Sequence, residues 1–109
     1  MTPGDIVVVD LDPVIGHEQG GRRPAVVVSS RRYSVIPGLF LAIPLTTADR
    51  GLRHHIAVPA GGTTGLDRDS YAMPEQVRAL AHKRIHRRLG TLDDATMDEI
   101  GLYLHYFIA

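Results

Sequence analysis

The stretch IVVVDL at residues 6–11 is a short run rich in β-branched residues, which predicts a β-strand. Pro13 and Gly16 follow it and predict a loop. The next apolar stretch, PAVVVSS at residues 24–30, has a similar composition. It can begin with proline because the first position of a strand tolerates a missing N–H group. The start of the chain is therefore expected to form two strands joined by a polar loop.

Further short apolar segments continue this pattern along the chain. They are bounded by glycine and proline, as strands commonly are. The segments are Leu39–Leu45, His54–Val58, Ser70–Met73, Gln76–Leu80 and Arg84–Leu89. Pro44 predicts an edge strand or a bulge, and Pro74 predicts either one bent strand or two short ones. Gly90 is expected to end the last strand.

Apolar residues repeat at helical spacing only in the C-terminal segment. Met97, Ile100 and Leu104 are separated by three and four residues. Phe107 and Ile108 lie three and four residues after Leu104. Asp93 is the expected N-cap of this helix. Five to seven short strands and one terminal helix predict a mainly β (α+β) fold, a small and strongly bent β-barrel with the helix packed on it.

The composition limits the domain count and the class of protein. The chain has 109 residues, of which 44% are apolar and 22% charged, so we expect one folded domain over residues 1–109. The longest apolar run is far shorter than the roughly 20 residues that cross a membrane, and the N-terminus lacks the features of a signal peptide. We therefore expect a soluble protein of the cytoplasm. The absence of cysteine excludes disulfides, thiolate metal sites and a cysteine nucleophile.

The formal net charge of zero conceals a segregated charge pattern. Residues 22–53 carry six arginines and one acid, and residues 78–88 carry five basic residues and no acid. Nearly all of the basic residues are arginine, whose planar guanidinium matches phosphate oxygens. The pattern favours an anionic polymer as ligand, although an ordinary solvated surface has the same composition.

The loop GHEQGGRRP at residues 16–24 holds groups for proton transfer and phosphate binding. His17 and Glu18 can move protons near neutral pH, and arginine can stabilise the charge of a phosphoryl transition state. Of the two arginines, Arg23 is favoured because it adjoins the rigid start of a strand. A structural alternative is that Glu18 pairs with Arg22 or Arg23 and that His17 caps a turn.

Other candidate residues lie at strand ends. Thr46 and Thr47 end the third strand, where a hydroxyl can reach a phosphate oxygen or satisfy the backbone. Gln76 is a candidate base-reading amide or a turn partner. His54 and His55 are neighbours in a predicted strand and should point to opposite faces, so we expect no metal site and no cofactor.

Several ordered groups of residues point to a family. They are Gly4–Pro13, Gly16–Gln19, Arg23–Val28, Pro44–Thr47, Arg68–Ser70 and Glu75–Arg78. With the C-terminal helix they cover nearly the whole chain, which resembles the MazF/Kid/PemK toxins of bacterial type II toxin–antitoxin systems. The resemblance implies an SH3-like, CcdB-like barrel, a homodimer, and metal-independent, sequence-specific cleavage of single-stranded RNA. Such mRNA interferases leave a 2′,3′-cyclic phosphate and a 5′-hydroxyl.

The resemblance also implies roles for particular residues. The family's arginine falls on Arg23, its strand-end threonine on Thr46 and its loop glutamate on Glu18, while the histidine used as base in some members falls on His17. Members that use an arginine on a later strand have it where this chain has Met73, so the sequence does not support that variant. The expected RNA-binding residues are Gln19, Arg22, Thr47, Arg53, Gln76 and Arg78.

The chemistry of in-line attack leaves one assignment open. The pKa of arginine is normally above 12, so Arg23 suits the role of electrostatic clamp or proton donor better than that of base. Thr46 would orient the phosphate, and either Glu18 or His17 would accept the 2′-hydroxyl proton.

The resemblance implies two partners besides RNA: a second copy of the chain, and an antitoxin whose acidic tail competes with RNA. No membrane partner is expected. Two other functions stay open from the sequence. One is poisoning of a protein target such as a DNA topoisomerase, as CcdB toxins do. The other is a catalytically silent module that binds RNA or protein.

Overall fold

A computed structural model of the chain describes residues 1–11, 21–30, 32–33 and 36–108. These residues form seven β-strands and one α-helix. The strands are β1 (Asp5–Asp10), β2 (Arg22–Val27), β3 (Leu39–Thr46), β4 (Ile56–Val58), β5 (Ser70–Ala72), β6 (Arg78–Ala81) and β7 (Ile85–Thr91), and the helix is α1 (Asp94–Ile108). No helix within the described ranges has both the length and the apolar character needed to cross a membrane.

All the strand pairs are antiparallel, and the order across the sheet is β4-β5-β3-β2-β1-β7. The strand β6 lies off this path and pairs with β3. One edge of β3 faces β2, while its other edge is shared between β6 and β5. This sharing curls the sheet toward a half-barrel, and the predicted mainly β fold with a C-terminal helix is confirmed.

Alternate residues of the strands build two apolar clusters on the two faces of the sheet. One cluster includes Ile6, Val26 and Ile43, and α1 adds the fully buried Ile100 to it. The other includes Val7 and Phe40. Each face of β1 and β2 is therefore largely covered, which fixes the register of these strands.

The strand β3 lies inside the sheet, so the expectation that Pro44 marks an edge or a bulge is wrong. Its register with β2 is regular through the pair Ala25–Pro44. On the other side of β3, β6 pairs with residues 39–42 and β5 with residues 45–46. Pro44 lies in the gap between these two ladders, where a missing N–H group breaks no strand pairing.

Several predicted strand ends also differ from the structure. The strand β4 begins at Ile56 rather than at His54, and Gln76 belongs to a 3₁₀ turn, Pro74–Gln76, that separates β5 from β6. Gly90 lies within β7 instead of ending it. A Cβ atom at Gly90 would lie 2.1 Å from the Thr63 carbonyl oxygen, so this glycine permits close packing rather than chain reversal.

The predicted N-cap of α1 is confirmed. Asp93 Oδ1 accepts a hydrogen bond of 2.7 Å from the Thr96 N–H, which helps to hold the pKa of Asp93 below its ordinary value. Near the C-terminal end, Phe107 and Ile108 are exposed. The last turn therefore presents apolar side chains outward.

Asp5 provides a test of the packing of β1 against β7. Burial acts to raise the pKa of Asp5, but hydrogen bonds from Thr2 and Arg88 outweigh it and lower the pKa. A lowered pKa stabilises the folded state above the unfolded-state value near 3.8, and this stabilisation is lost as the pH falls through the folded-state pKa. We expect Asp5→Asn to cost about 1 kcal/mol at pH 7 and progressively less below pH ~4. Urea denaturation between pH 3 and pH 7 measures this, and a cost independent of pH would contradict it.

Candidate functional site

Arg23 and Thr46 occupy corresponding positions on the neighbouring strands β2 and β3. These strands pair in a constant register from Val27–Ala42 to Ala25–Pro44. Arg23 and Thr46 each lie two residues beyond the last of these pairs. Because side chains alternate along a strand, both project from the same sheet face. The fold thus places a guanidinium and a hydroxyl at one end of one face.

The guanidinium of Arg23 is half-buried, and its hydrogen bonds are incomplete. The side chain lines a narrow crevice with Val9 and Pro44, and its buried Nε has no hydrogen-bond partner among the described residues. A buried donor without a partner is costly unless another group binds it. The Nε–H group is therefore suited to donate a hydrogen bond to an anion such as a phosphate.

Thr46 is 6% exposed and ends β3. Its Oγ1 accepts a hydrogen bond of 3.2 Å from the Ala48 N–H. This bond uses the oxygen as an acceptor and leaves the hydroxyl proton to donate. Thr46 also pairs with Tyr71 of β5. Its backbone is therefore held by β5, and its side chain is held by the turn at Ala48.

A larger groove of about 420 Å³ lies on the opposite face of β2. Its polar lining consists of Arg22, Thr47, Asp67, Arg68, Ser70, His86 and Arg87. Three arginines against one carboxylate make this groove positively charged. Such a surface attracts a polyanion, and its arginines can each bind phosphate oxygens in pairs.

The predicted binding residues therefore do not all share one surface. Arg22 and Thr47 line the groove, whereas Arg78 lines the crevice beside Arg23. Gln76 has an exposed side chain whose Nε2 lies 3.6 Å from the sulfur of Met73. Arg53 is exposed, and its carbonyl accepts a hydrogen bond from Tyr103. Among the described residues that line the groove and the crevice, neither Gln76 nor Arg53 is present.

Sequence reasoning missed part of the groove. It counted Arg87 only among the five basic residues of 78–88 and did not single out His86. In the structure both side chains line the groove, because the pairing of Val8 with Arg87 places β7 beside β1. Arg68, in the loop before β5, and Ser70, the first residue of β5, complete the wall. The alternation of side chains along β7 could not predict this wall, because the wall also contains residues from the loop before β5.

His17, Glu18 and Gln19 lie outside the described residues. Their expected roles, proton acceptor for His17 or Glu18 and RNA contact for Gln19, stay predictions. The choice between Glu18 and His17 as base is open for the same reason.

Comparison with known proteins decides the family. The model of the PemK-like, MazF-like toxins of type II toxin–antitoxin systems matches residues 2–108. The chain belongs to this toxin family. Among its relatives, Endoribonuclease EndoA of Bacillus subtilis is 33% identical over 97% of this chain and 92% of that protein. Endoribonuclease toxin MazF of Escherichia coli is 38% identical over 72% of this chain, and that match spans 66% of the length of the relative, slightly less than two thirds.

A solved structure agrees with this assignment. The chain matches the crystal structure of MazE–MazF from Deinococcus radiodurans with a TM-score of 0.80 and 28% identity, over 99% of this chain and 95% of that one. The toxin fold therefore extends over essentially the whole of this chain.

Met73, where some family members were expected to have an arginine, is fully buried. Its N–H donates to the Pro44 carbonyl at 3.1 Å. An apolar side chain fits this enclosed position, whereas a charged one would lose its hydration. This member of the toxin family thus fills the position with a core residue.

The expectation that His54 and His55 point to opposite faces is wrong. Neither residue lies in β4, and a turn in which the His55 N–H donates to the Leu52 carbonyl directs both rings to the same carboxylate. His54 Nε2 lies 3.3 Å from Glu75 Oε1, and His55 Nε2 lies 2.7 Å from Glu75 Oε2. Partial burial acts to raise the pKa of Glu75, but hydrogen bonds from His55 and the backbone and the charges of both imidazoles outweigh it, so this pKa lies below its ordinary value.

Proposed function

We propose that this chain is an endoribonuclease toxin of a type II toxin–antitoxin system that cleaves single-stranded messenger RNA at specific short sequences. Membership of the PemK-like, MazF-like family supports the class of activity, and the relatives named above are endoribonucleases. The observation that carries the proposal is the half-buried Arg23, whose Nε has no hydrogen-bond partner among the described residues; Arg23 and Thr46 each lie two residues beyond the pair Ala25–Pro44. Since the substrate is messenger RNA, we expect the protein to act in the cytoplasm.

The proposed reaction is in-line attack of a ribose 2′-hydroxyl on the adjacent phosphorus. The 2′-oxygen forms a bond to phosphorus as its proton passes to Glu18 or His17, and the bond from phosphorus to the 5′-oxygen breaks. The leaving 5′-oxygen takes up a proton, so the products carry a 2′,3′-cyclic phosphate and a 5′-hydroxyl. Water is not consumed in this step.

Arg23 and Thr46 act on the charge that develops at the phosphate. The guanidinium of Arg23 neutralises the non-bridging oxygens, or donates the proton to the leaving oxygen. The hydroxyl of Thr46 donates a hydrogen bond that orients the phosphate. Because arginine supplies the positive charge, we propose that cleavage does not require a metal ion.

The basic groove offers a path for the RNA strand beyond the scissile phosphate. Arg22, Arg68 and Arg87 line it and would bind successive phosphates, which favours an extended single strand. Gln19, Thr47, Arg53, Gln76 and Arg78 are the other proposed RNA contacts. Bases splayed away from the backbone could then be read on their edges.

The same groove suits an antitoxin. The structure of MazE–MazF from Deinococcus radiodurans contains a toxin and its antitoxin. We propose that this chain likewise binds a cognate antitoxin, whose acidic tail folds onto the groove and competes with RNA. Positive charge in the groove is the feature that would attract such a tail.

The proposed active form is a homodimer. The helix α1 exposes apolar side chains, among which Leu102 is 71% and Tyr106 82% exposed. Contact with a second copy would remove these side chains from water. We expect light scattering to give about 24 kDa, twice the 11.9 kDa of the chain. Tyr106→Glu should shift the mass toward 12 kDa, while a wild-type mass near 12 kDa at micromolar concentration would contradict the dimer.

The test of the function is incubation of the purified protein with a long single-stranded RNA in EDTA, followed by mapping of the cuts and analysis of the ends. We expect cuts at one short sequence, with 2′,3′-cyclic phosphate and 5′-hydroxyl termini. RNA that is bound in a salt-dependent manner but never shortened would favour the silent binding module. Intact RNA without binding, together with inhibition of a DNA topoisomerase, would favour the CcdB-like alternative.

A further inference from the structure

Three side chains with metal-binding atoms converge beside the start of β4. They are His54, His55 and Glu75, and one ligand atom from each lies within 4.8 Å of the other two. No second group of three His, Asp or Glu side chains converges in this way within residues 1–11, 21–30, 32–33 and 36–108. None of the three lines the basic groove or the crevice beside Arg23. The cluster is therefore a separate feature that the proposed RNA chemistry does not use.

The fold holds these side chains in place through three segments. The pairing of Ile56 with Ala72 puts the turn before β4 next to the 3₁₀ turn that contains Glu75. From the third segment, α1, the Tyr103 hydroxyl donates to the Arg53 carbonyl at 3.2 Å. The ring of His54 also packs edge-on against Phe107 at 5.5 Å. The donor atoms are thus brought together by tertiary structure before any ligand binds.

The ring of His55 is buried, and its Nε2 contacts Glu75. The His55 side chain is only 2% exposed, and its Nδ1 has no hydrogen-bond partner in the described part of the chain. The ring is therefore held at Nε2 alone, by a carboxylate that it shares with His54. Coordination of a metal ion at Nε2 would replace this contact with a metal–nitrogen bond and leave the imidazole proton on Nδ1.

We propose that His54, His55 and Glu75 form a zinc site. Zinc prefers imidazole nitrogen and carboxylate oxygen at bond lengths of about 2.0–2.2 Å, and tetrahedral ligands are then about 3.3 Å apart. His54 Nε2 lies 3.3 Å from Oε1 and His55 Nε2 lies 2.7 Å from Oε2 of Glu75, and the three ligand atoms lie within 4.8 Å of one another, so the side chains would move closer together around one ion. The side chains of His54 and Glu75 are 27% and 32% exposed, so water has access to the fourth position.

The role of this site is structural. One ion would join the turn before β4 to the 3₁₀ turn, and through the contacts of His54 and Arg53 it would hold α1 against both. Binding needs neutral imidazoles with a free Nε2 lone pair and an ionised carboxylate. Since the cluster lies apart from Arg23 and Thr46, its occupation is independent of the phosphodiester chemistry.

The test is titration of the purified full-length chain, stripped with EDTA and dialysed, with zinc chloride in a calorimeter and in thermal unfolding. We expect one ion per chain and a rise in Tm of at least about 5 °C once zinc is present at 100 times its Kd. Cobalt(II) in place of zinc should give the visible absorption of tetrahedral nitrogen and oxygen coordination.

Two variants and a matched control assign the binding to this cluster. Glu75→Gln keeps the volume and removes the anionic ligand, and His54→Ala removes one imidazole. Each should raise the Kd for zinc at least about tenfold and abolish the cobalt absorption, with the folded circular dichroism spectrum retained. His105→Ala removes an exposed histidine outside the cluster and should leave zinc binding unchanged. The proposal is overturned if the wild-type chain does not bind one zinc, or if Glu75→Gln and His54→Ala bind it as tightly as the wild type.

Discussion

Replacement of Arg23 with alanine is expected to lower kcat/KM for RNA cleavage by about 10²–10³-fold, the usual effect of losing one preorganised donor to a developing anion. The reason is the position of the guanidinium, whose buried Nε has no partner among the described residues. Arg23→Lys retains the charge but loses the planar pair of donors, so we expect an intermediate loss. A short fluorogenic RNA containing the mapped cleavage sequence measures both variants.

Arg32 supplies the matched control for this experiment. It is an exposed arginine and lines neither cavity, so Arg32→Ala removes the same charge without touching the proposed phosphate site. Its kcat/KM should equal that of the wild type within about twofold at moderate salt. If Arg23→Ala retains more than a tenth of the activity while folded, a different group must stabilise the phosphate.

Gly90→Ala is expected to destabilise the protein by at least about 3 kcal/mol, at the upper end of overpacking effects. A Cβ atom at this position would lie 2.1 Å from the Thr63 carbonyl oxygen and 2.6 Å from the Thr64 carbonyl carbon. These are backbone atoms, and the Thr91 N–H donates to the same Thr63 carbonyl at 2.8 Å. The loop cannot move away without breaking that bond, so urea denaturation should show a large loss of stability or failure to fold.

Gly101→Ala is the control for the glycine substitution. Gly101 lies in α1, and apart from the neighbouring helix backbone no atom of the described residues lies within 4 Å of the place where its Cβ would be. Alanine has the higher helix propensity, so this variant should gain up to about 1 kcal/mol. A loss at Gly90 no larger than about 1 kcal/mol would show that the loop is not packed against β7 as described.

The loop packed by Gly90 is also a wall of the basic groove. A Cβ atom at Gly65 would lie 2.2 Å from the Leu89 carbonyl oxygen, so the loop and β7 approach each other at two places. Arg68 follows in the same loop and lines the groove with Arg87 of β7. Displacing the loop would therefore separate the arginines that we propose to bind RNA.

Much of the fold could be predicted from short-range patterns. The run at residues 6–11, the spacing from Met97 to Leu104 and the cap at Asp93 depend on neighbours in the chain, and each indicated the right element. The prediction of an edge or a bulge at Pro44 was wrong because the effect of a proline on strand pairing depends on which strands lie beside it. A proline is excluded only where a ladder needs its N–H, and the gap between β6 and β5 cannot be read from local sequence.

The candidate site likewise has a part that local sequence predicts and a part that depends on long-range strand pairing. The motifs identified Arg23 and Thr46, since their residue types and order along the chain are visible in the sequence. Their shared sheet face follows from the register of β2 with β3, which is a long-range property. For His54 and His55 the prediction of opposite directions was wrong. Both residues lie in a turn before β4, where the alternation of strand side chains does not apply.

By itself, the sequence determined the class of fold, the terminal helix and the residues able to move protons or bind phosphate, because hydrophobic period and side-chain chemistry are local properties. Tertiary structure alone decided which of these residues meet. It put Arg22 and Arg87 in one groove, Arg23 beside Pro44 in the crevice, and two histidines on Glu75. The physical reason is that strand register and loop packing are set by burial of the whole core, so contacts between distant residues follow from the complete fold.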